Sequence, residues 1–283
     1  MGLLTNLKRS KYVSSVDPSN ECDLSDLQSR MRFFYTANPY HELWIKGHNS
    51  HWTHGQHEAQ LQMCHYVPDG ARILEVGCGD GSAERELRTR TRIASYIGVD
   101  IKPELWAGRR CFAAADAGYL PFSKGSSDIV ISMFALEHLV YPRRFLDEAW
   151  RVLDHAGRLL LISPDFAKNG MASEWIGTSY GCGRDKLARG RWSDALLTAF
   201  DSRVRLGMKR AARNRSIADG KITFPVLLHP RCLYSPGFVP DCDAVYPSCP
   251  EEVVRYLGSK PGYHRANVFY RAAGTFGLAV FKV

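Results

Sequence analysis

Short apolar runs that end in glycine, aspartate or proline alternate with segments of helical spacing along much of the chain. Runs of this length are typical of buried strands, whereas apolar residues three and four apart indicate helices. The predicted strands span residues 72–77, 95–101, 111–116, 128–133, 157–164, 264–272 and 275–283. The predicted helices span residues 56–66, 80–89, 142–153 and 250–258.

This alternation predicts an α/β fold, because parallel strands are joined by crossover helices that cover both faces of the sheet. The last two strands are separated only by a short turn at Gly274, which predicts an antiparallel hairpin. We therefore expect a Rossmann-like, seven-stranded, mostly parallel sheet with a C-terminal antiparallel hairpin and a long insertion before the last helix.

The regular pattern divides the chain into three parts. Residues 1–55 are irregular and rich in aromatic residues and histidine, and we interpret them as an N-terminal cover segment. Residues 56–164 and 250–283 carry the alternating strands and helices of the core. Residues 165–249 interrupt it, and a connection this long is usually a lid or a substrate-binding element.

The most specific signal is a strand that runs into a glycine loop and then a helix, ILEVGCGDG at residues 73–81. Glycine lets the backbone approach a ligand closely, and the helix N-terminus offers unpaired N–H groups. Asp100 ends the next strand, where an acidic residue suits a ribose diol. This pattern predicts a nucleoside-containing cofactor.

The order of the glycines and the charge of the loop narrow the choice of cofactor. Gly77, Gly79 and Gly81 are one residue short of the dinucleotide fingerprint G-x-G-x-x-G. Glu75 and Asp80 place negative charge beside the loop, which disfavours a pyrophosphate and favours a cation. S-adenosylmethionine is a nucleoside that carries a sulfonium and an ammonium group.

At this point the sequence resembles the class I S-adenosylmethionine-dependent methyltransferases, close to the methyltransferase type 11 group. The resemblance covers residues 56–165 and the C-terminal strands. It is carried by LEVGCGDG at 74–81, GVDI at 98–101, DAGYLPF at 116–122, SDIVISMFALEHL at 127–139, FLDEAWRVL at 145–153 and GRLLLI at 157–162.

The resemblance implies roles for single residues. Glu75 and the loop from Gly77 to Gly81 would face the amino-acid part of the cofactor, and Asp100 would bond the ribose hydroxyls. The remaining contacts would be Ile101 against the adenine, Asp116 as acceptor for the adenine amino group, Ala117 as N–H donor to the ring, and Met133 near cofactor and acceptor.

His138 is the predicted catalytic base, because it follows the fourth strand at the edge of the sheet where ligands bind. The ubiquinone-type O-methyltransferases also resemble this segment and hold a divalent metal with a Glu-x-x-Glu-His set. Phe134 stands at the first Glu position here, so only Glu137 and His138 would remain as ligands. Magnesium would need a further ligand from elsewhere in the chain or from the substrate.

Four further residues are candidates for contact with the acceptor. Tyr40 and Trp44 lie in the N-terminal segment, which covers the cofactor in many relatives of this class. Asp243 and Tyr246 lie in a stretch that loosely resembles methyltransferases of glycan biosynthesis, and they could bond a sugar. Packing within the cover segment and the insertion is the alternative for all four.

The excess of positive charge is concentrated in the insertion. The chain carries 37 Lys and Arg against 29 Asp and Glu, and residues 184–215 alone hold ten basic against three acidic side chains. Leu196, Leu197, Phe200, Val204 and Met208 follow a helical spacing, which predicts one or two basic amphipathic helices. Such a surface is a solvated face, or it contacts an anionic acceptor, a nucleic acid or an anionic membrane surface. Nucleic acid is disfavoured, because the sequence shows no recognised RNA- or DNA-binding module.

The sequence therefore predicts an S-adenosylmethionine-dependent methyltransferase acting on a hydroxyl of a sugar, a glycan or another small hydroxylated metabolite. N-methylation of an amino sugar or a small amine, and a non-catalytic binding subunit with this fold, are the alternatives. No apolar run approaches the length of a membrane span, so we expect a cytoplasmic protein. The oligomeric state is left open.

Overall fold

The computed structural model describes residues 11–37, 54–102, 111–166, 171–174, 183–233, 242–272 and 274–283. The strands are β1 (Tyr12–Ser14), β2 (Ala71–Val76), β3 (Ile93–Asp100), β4 (Phe112–Ala114), β5 (Ser127–Met133), β6 (Leu153–Pro164), β7 (Pro225–Leu227), β8 (Tyr263–Ala272) and β9 (Thr275–Lys282). The α-helices are α1 (Glu21–Ala37), α2 (His54–Cys64), α3 (Ser82–Arg90), α4 (Pro142–Val152), α5 (Gly183–Ala188), α6 (Trp192–Phe200), α7 (Leu206–Ala218) and α8 (Pro250–Leu257).

Seven of these strands form one sheet in the order β4-β3-β2-β5-β6-β9-β8. The first five are parallel to one another, whereas β9 is antiparallel to both β6 and β8. The predicted α/β class, the mostly parallel seven-stranded sheet and the C-terminal antiparallel hairpin are confirmed. The strand order reverses between β2 and β5, because β3 and β4 lie on one side of β2 whereas β5 and β6 lie on the other. Ligands of open α/β sheets bind in the crevice at such a point.

The buried core lies on both faces of this sheet because its central strands are apolar on both sides. Val130, Leu159 and Leu161 pack on one face with α4 and α8, and Ile129, Ile131 and Leu160 pack on the other with α2. In α4, Phe145, Leu146, Ala149 and Val152 are fully buried, at the helical spacing that the sequence showed. The residues that the pattern assigned to the core are therefore in the core.

The sheet differs from the prediction at the start of β6. The strand begins at Leu153, directly after α4, and not at residue 157. Leu153 pairs with Ser127, and the register then shifts before Ile129 pairs with Arg158. Ala156 has a φ of 59°, so this extra loop of chain is absorbed as an irregularity within the strand rather than as a turn before it.

The N-terminal segment and the insertion share a cluster of buried residues. β1 pairs antiparallel with β7, and Leu24, Leu27 and Met31 of α1 pack against Val226 and Val245. The sequence did not predict this contact, because neither segment shows strand alternation. No helix among the described residues is long and apolar enough to cross a membrane.

Candidate active site

The glycine loop leaves the carboxyl end of β2 at the crevice. Gly77 has a φ of 78°, and a Cβ atom at this position would lie 2.3 Å from the Cβ of Ala135. Its N–H donates to the carbonyl of Val99, 2.8 Å away. Only glycine can therefore stand at position 77, because the chain that follows β5 passes directly over it.

The rest of the loop is open toward the crevice. Gly79 has a φ of 48°, and a Cβ atom there would meet nothing within 4 Å. Gly81 precedes α3 in the left-handed conformation and gives the helix no side-chain cap. The backbone is thus bare on the side where a cofactor would approach, and the helix N-terminus offers N–H groups to it.

Three acidic or phenolic groups lie beneath the loop. Asp100 accepts hydrogen bonds from the N–H groups of Gly79 and Lys102 at 2.9 and 3.2 Å. Glu75 is 2% exposed and accepts a hydrogen bond from the hydroxyl of Tyr96. Burial raises the pKa of Glu75 to about 8, and the nearby carboxylates of Asp100 and Asp80 add to the rise. Burial also raises the pKa of Asp100.

This donor set fits S-adenosylmethionine. A buried carboxyl whose neighbours are also carboxyls gains most from a ligand that brings positive charge. Asp100 ends β3 beside the bare loop, at the position that suits a ribose diol. The residues present would therefore hold the ribose through Asp100 and the cationic amino-acid part through the loop and Glu75.

The segment predicted to face the adenine lies next to α1. Asp116 accepts from the N–H of Gly118 at 2.8 Å, which fixes the turn after β4. Its other carboxylate oxygen accepts from the side-chain amide of Gln28 at 2.9 Å. Ile101, directly after β3, and Ala117, in the turn after β4, are half-buried. The N-terminal segment thus reaches the edge of the predicted adenine site.

The turn after β5 carries the predicted catalytic residue. Met133 ends the strand and receives the side-chain amide of Gln60 at 3.8 Å from its sulfur. Phe134 then adopts a φ of 51°, which is strained for a bulky residue. This conformation turns the chain over Gly77 and starts the 3-10 turn that ends at His138.

His138 lies between two carboxylates. The Nδ1 atom is 3.4 Å from Oδ2 of Asp243, and the Nε2 atom is 3.7 Å from Oε1 of Glu137. The side chain of His138 is 23% exposed, whereas Glu137 is 1% exposed and Asp243 is 4% exposed. The imidazole therefore reaches solvent at the crevice, while its acidic neighbours are buried behind it.

Asp243 is placed by both the turn after β5 and the N-terminal segment. The N–H groups of Val245 and Tyr246 donate to the carbonyl of Glu137 at 2.8 and 2.9 Å, which ties the insertion to the turn after β5. The hydroxyl of Tyr35 donates to Oδ2 of Asp243 at 3.1 Å. Burial, and then the charge of Asp243, raise the pKa of Tyr35 well above 10, so its hydroxyl stays a donor at neutral pH.

Glu137 serves a structural contact as well as the histidine. Its Oε2 atom accepts from the hydroxyl of Ser163 at 2.9 Å, and Ser163 in turn contacts Ser248. Among the described residues, no group of three or more His, Cys, Asp or Glu is arranged to hold a metal ion. The Glu137–His138 metal site stays a prediction.

Not all of the predicted acceptor residues lie at this site. Tyr246 is fully buried, and its hydroxyl donates to Glu252 at 2.8 Å, away from the crevice. Burial raises its pKa well above 10. Tyr246 thus lies in the core, because the chain after Asp243 packs against α8. Tyr40 and Trp44 lie outside the described residues.

Three residues at the site escaped the sequence prediction. They are Gln28, Tyr35 and Tyr96. Tyr35 stands in the aromatic-rich N-terminal segment, whose composition is the only signal for it in the sequence. From the sequence, Tyr96 looks like an ordinary core residue of β3, and the residues next to it do not indicate that it contacts Glu75.

A protein-family model described as a methyltransferase domain matches residues 74–161. Those residues contain the glycine loop, Asp100, Asp116 and the turn that carries His138. They form a class I S-adenosylmethionine-dependent methyltransferase domain, and this class implies S-adenosylmethionine as the cofactor.

Curated relatives match part of the chain. The chain is 36% identical over 114 residues to a phthiotriol/phenolphthiotriol dimycocerosates methyltransferase of Mycobacterium leprae, covering 38% of this chain and 42% of that protein. It is 30% identical over 104 residues to a chloroplastic tocopherol O-methyltransferase of Arabidopsis thaliana, covering 32% of this chain and 30% of that protein. The chain thus spans less than half the length of these relatives.

A solved structure of a methyltransferase from Thermotoga maritima is similar over most of its length. It is 16% identical, with a TM-score of 0.48, and the match covers 89% of this chain and 99% of that one.

Proposed function

We propose that the chain transfers the methyl group of S-adenosylmethionine to a hydroxyl oxygen of a small hydroxylated acceptor, with sugars and glycans as the first compounds to try. The observation that carries this proposal is the placement of His138 between Asp243 and Glu137, on the turn that contacts the glycine loop. An acceptor in the crevice would thus meet a base beside the cofactor site.

Methyl transfer is an in-line displacement in which alignment and exclusion of water do most of the work. S-adenosylmethionine would supply the methyl group at the carboxyl edge of the sheet. A hydroxyl acceptor must also lose its proton, and His138 is placed to take it because imidazole exchanges protons near neutral pH. The negative charge of Asp243 and Glu137 would stabilise the imidazolium that forms.

The surroundings of Asp243 support a different role from the acceptor contact for which the sequence made it a candidate. It was predicted to bond the acceptor, but it is 4% exposed and faces Nδ1 of His138. We propose that it positions the imidazole, with Tyr35 holding the carboxylate from the other side at 3.1 Å. The sugar contact would then fall to residues nearer to the mouth of the crevice.

Two alternatives predict different behaviour. N-methylation of an amino sugar or a small amine needs a free lone pair and no base, so His138 would matter little at a pH where the amine is unprotonated. A non-catalytic binding subunit would bind the cofactor weakly, and the open loop at Gly79 and the buried acids beneath it argue against this. The expected cytoplasmic location and an anionic acceptor stay predictions.

The first test is calorimetric titration of S-adenosylhomocysteine into the purified protein and into Asp100→Ala, with and without magnesium. Saturable binding that is lost in the variant supports the cofactor site. No binding by the unmodified protein would favour the binding-subunit alternative. A gain in affinity with magnesium would support the Glu137–His138 metal site.

The second test measures methyl transfer from labelled S-adenosylmethionine to a panel of hydroxylated sugars, other hydroxylated metabolites and amines. With a hydroxyl acceptor, His138→Gln is expected to lower kcat by a factor of about 10²–10⁴ with little change in KM. Exposed His155, at the start of β6, provides the matched control His155→Gln. Transfer to amines alone, with full activity of His138→Gln, would contradict the proposed chemistry.

A further inference from the structure

The helical segment 192–218 carries a stripe of exposed apolar side chains. It consists of α6, a π-turn at Asp201–Arg205 and α7, which follow one another without a break. The exposed fractions along the stripe are 67% for Trp192, 70% for Leu196, 47% for Phe200, 46% for Val204 and 71% for Met208. These five make up half of the large apolar side chains that are exposed among the described residues.

The π-turn keeps this stripe on one side. Positions four apart drift by about 40° per step around a straight α-helix of 3.6 residues per turn, so a long row of them would wind toward the protein. A π-turn takes an additional residue into the turn, which reverses part of this drift midway along the segment. The exposed apolar side chains, which recur every four residues, thus stay on one side of the segment because of the π-turn.

Opposite side chains fix the segment to the protein. Leu206 and Ile217 are buried, and Arg213 donates to Glu252 at 2.8 Å. Arg205 and Lys209 both reach residue 174, at its carbonyl and its carboxylate respectively. The segment therefore cannot roll to hide its apolar side without breaking buried ion pairs.

These contacts also sort the basic residues of the insertion. Lys209 and Arg213 pair with Glu174 and Glu252, and Arg205 donates to the carbonyl of Glu174. Arg191 is exposed and pairs with the neighbouring Asp194. The other exposed arginines of the insertion are Arg184, Arg189, Arg203 and Arg215. Exposed arginines flanking a row of Trp, Leu, Phe and Met are the composition of helices that lie in the interface of an anionic membrane. Nucleic-acid phosphates would engage the arginines but would leave the apolar stripe uncovered.

We propose that the segment 192–218 is a docking surface for an anionic phospholipid bilayer, with the apolar stripe in the boundary between headgroups and acyl chains and the arginines on the headgroups. This inference does not rest on the proposed function.

The test is co-sedimentation of the full chain with vesicles of phosphatidylcholine alone or mixed with phosphatidylglycerol. Binding is expected only with the anionic vesicles and is expected to fall with salt. The pair Leu196→Ser and Phe200→Ser should weaken it roughly tenfold or more, since two exposed side chains lose their burial in lipid. Exposed Phe33 of α1 gives the control Phe33→Ser, which should bind like the unmodified chain.

A second variant tests the charge. Arg189→Gln with Arg203→Gln should lower binding by about fivefold for each arginine. The emission of Trp192, isolated by comparison with Trp192→Phe, should shift to the blue on anionic vesicles. Equal binding to neutral vesicles, or binding that survives the serine pair, would overturn the proposal. So would sedimentation velocity showing that the serine pair converts a dimer to a monomer in a chain that does not bind vesicles, because the stripe would then be covered by a second copy.

Discussion

Replacing Glu75 by glutamine should remove a large part of the pH dependence of folding stability. Glu75 is 2% exposed, accepts from Tyr96 and lies near the carboxylates of Asp100 and Asp80. Burial holds its pKa at about 8, against 4.5 for the hydrated group. Glutamine keeps the shape and the acceptor oxygen but has no proton to lose.

The sign and size of this pH dependence follow from the linkage between proton binding and folding. Because the folded protein binds this proton more tightly than the unfolded chain, the stabilisation is fully present below pH 4.5 and is lost as the pH rises through 8. A pKa difference of 3.5 pH units, at about 1.4 kcal/mol per unit, gives about 5 kcal/mol in total. Between pH 6 and pH 8 the loss from this one carboxyl is about 2 kcal/mol.

The assay is urea unfolding of the unmodified chain and of Glu75→Gln at pH 6, 7 and 8. The variant should gain stability relative to the unmodified chain by about 2 kcal/mol from pH 6 to pH 8. Other titrating groups are common to both proteins and cancel in the difference. Exposed Glu58 of α2 supplies the control Glu58→Gln, whose pH dependence should match that of the unmodified chain. Parallel curves for Glu75→Gln and the unmodified chain would refute the assignment.

The same carboxyl should couple cofactor binding to pH. A cationic group placed against Glu75 favours the ionised form, so the affinity for S-adenosylhomocysteine should rise from pH 6 to pH 8 as the carboxyl ionises. Glu75→Gln should bind more weakly at pH 8 and lack this rise. Equal pH dependence in the two proteins would show that the ligand amino group lies elsewhere.

Three further results are expected. Gly77→Ala should destabilise the fold by more than about 1 kcal/mol, measured by urea unfolding, because the new methyl would meet Ala135 at 2.3 Å. Gly79→Ala should fold, with only the strain of its positive φ, but should lose affinity for S-adenosylhomocysteine in calorimetry; unchanged affinity would contradict the loop's role. Arg213→Met should cost about 3–5 kcal/mol in unfolding, because it leaves Glu252 buried without its charged partner, and replacing Glu252 by Gln in the same chain should recover part of that loss.

The sequence by itself determined the sheet and the cofactor loop. Central strands buried on both faces must be apolar throughout, so β2, β5 and most of β6 are visible as short apolar runs. The glycine loop is equally local, because the strand, the turn and the helix N-terminus that make it are consecutive in the chain. Position 77 shows why the residue type carries information, since its backbone conformation and its closeness to Ala135 both demand glycine.

Only the tertiary structure decided what surrounds His138. Tyr35 and Asp243 are 208 residues apart and meet because α1 and the insertion pack together beside the turn after β5. No periodicity encodes a contact between two irregular segments, so the sequence made Asp243 only a candidate for acceptor contact or for packing within the insertion and did not single out Tyr35. The same holds for the stripe of the insertion. Helical spacing predicted an apolar side, but it does not show whether that side faces the core or solvent. The orientation depends on which basic side chains pair with buried acids, and those pairs form only when the chain is folded.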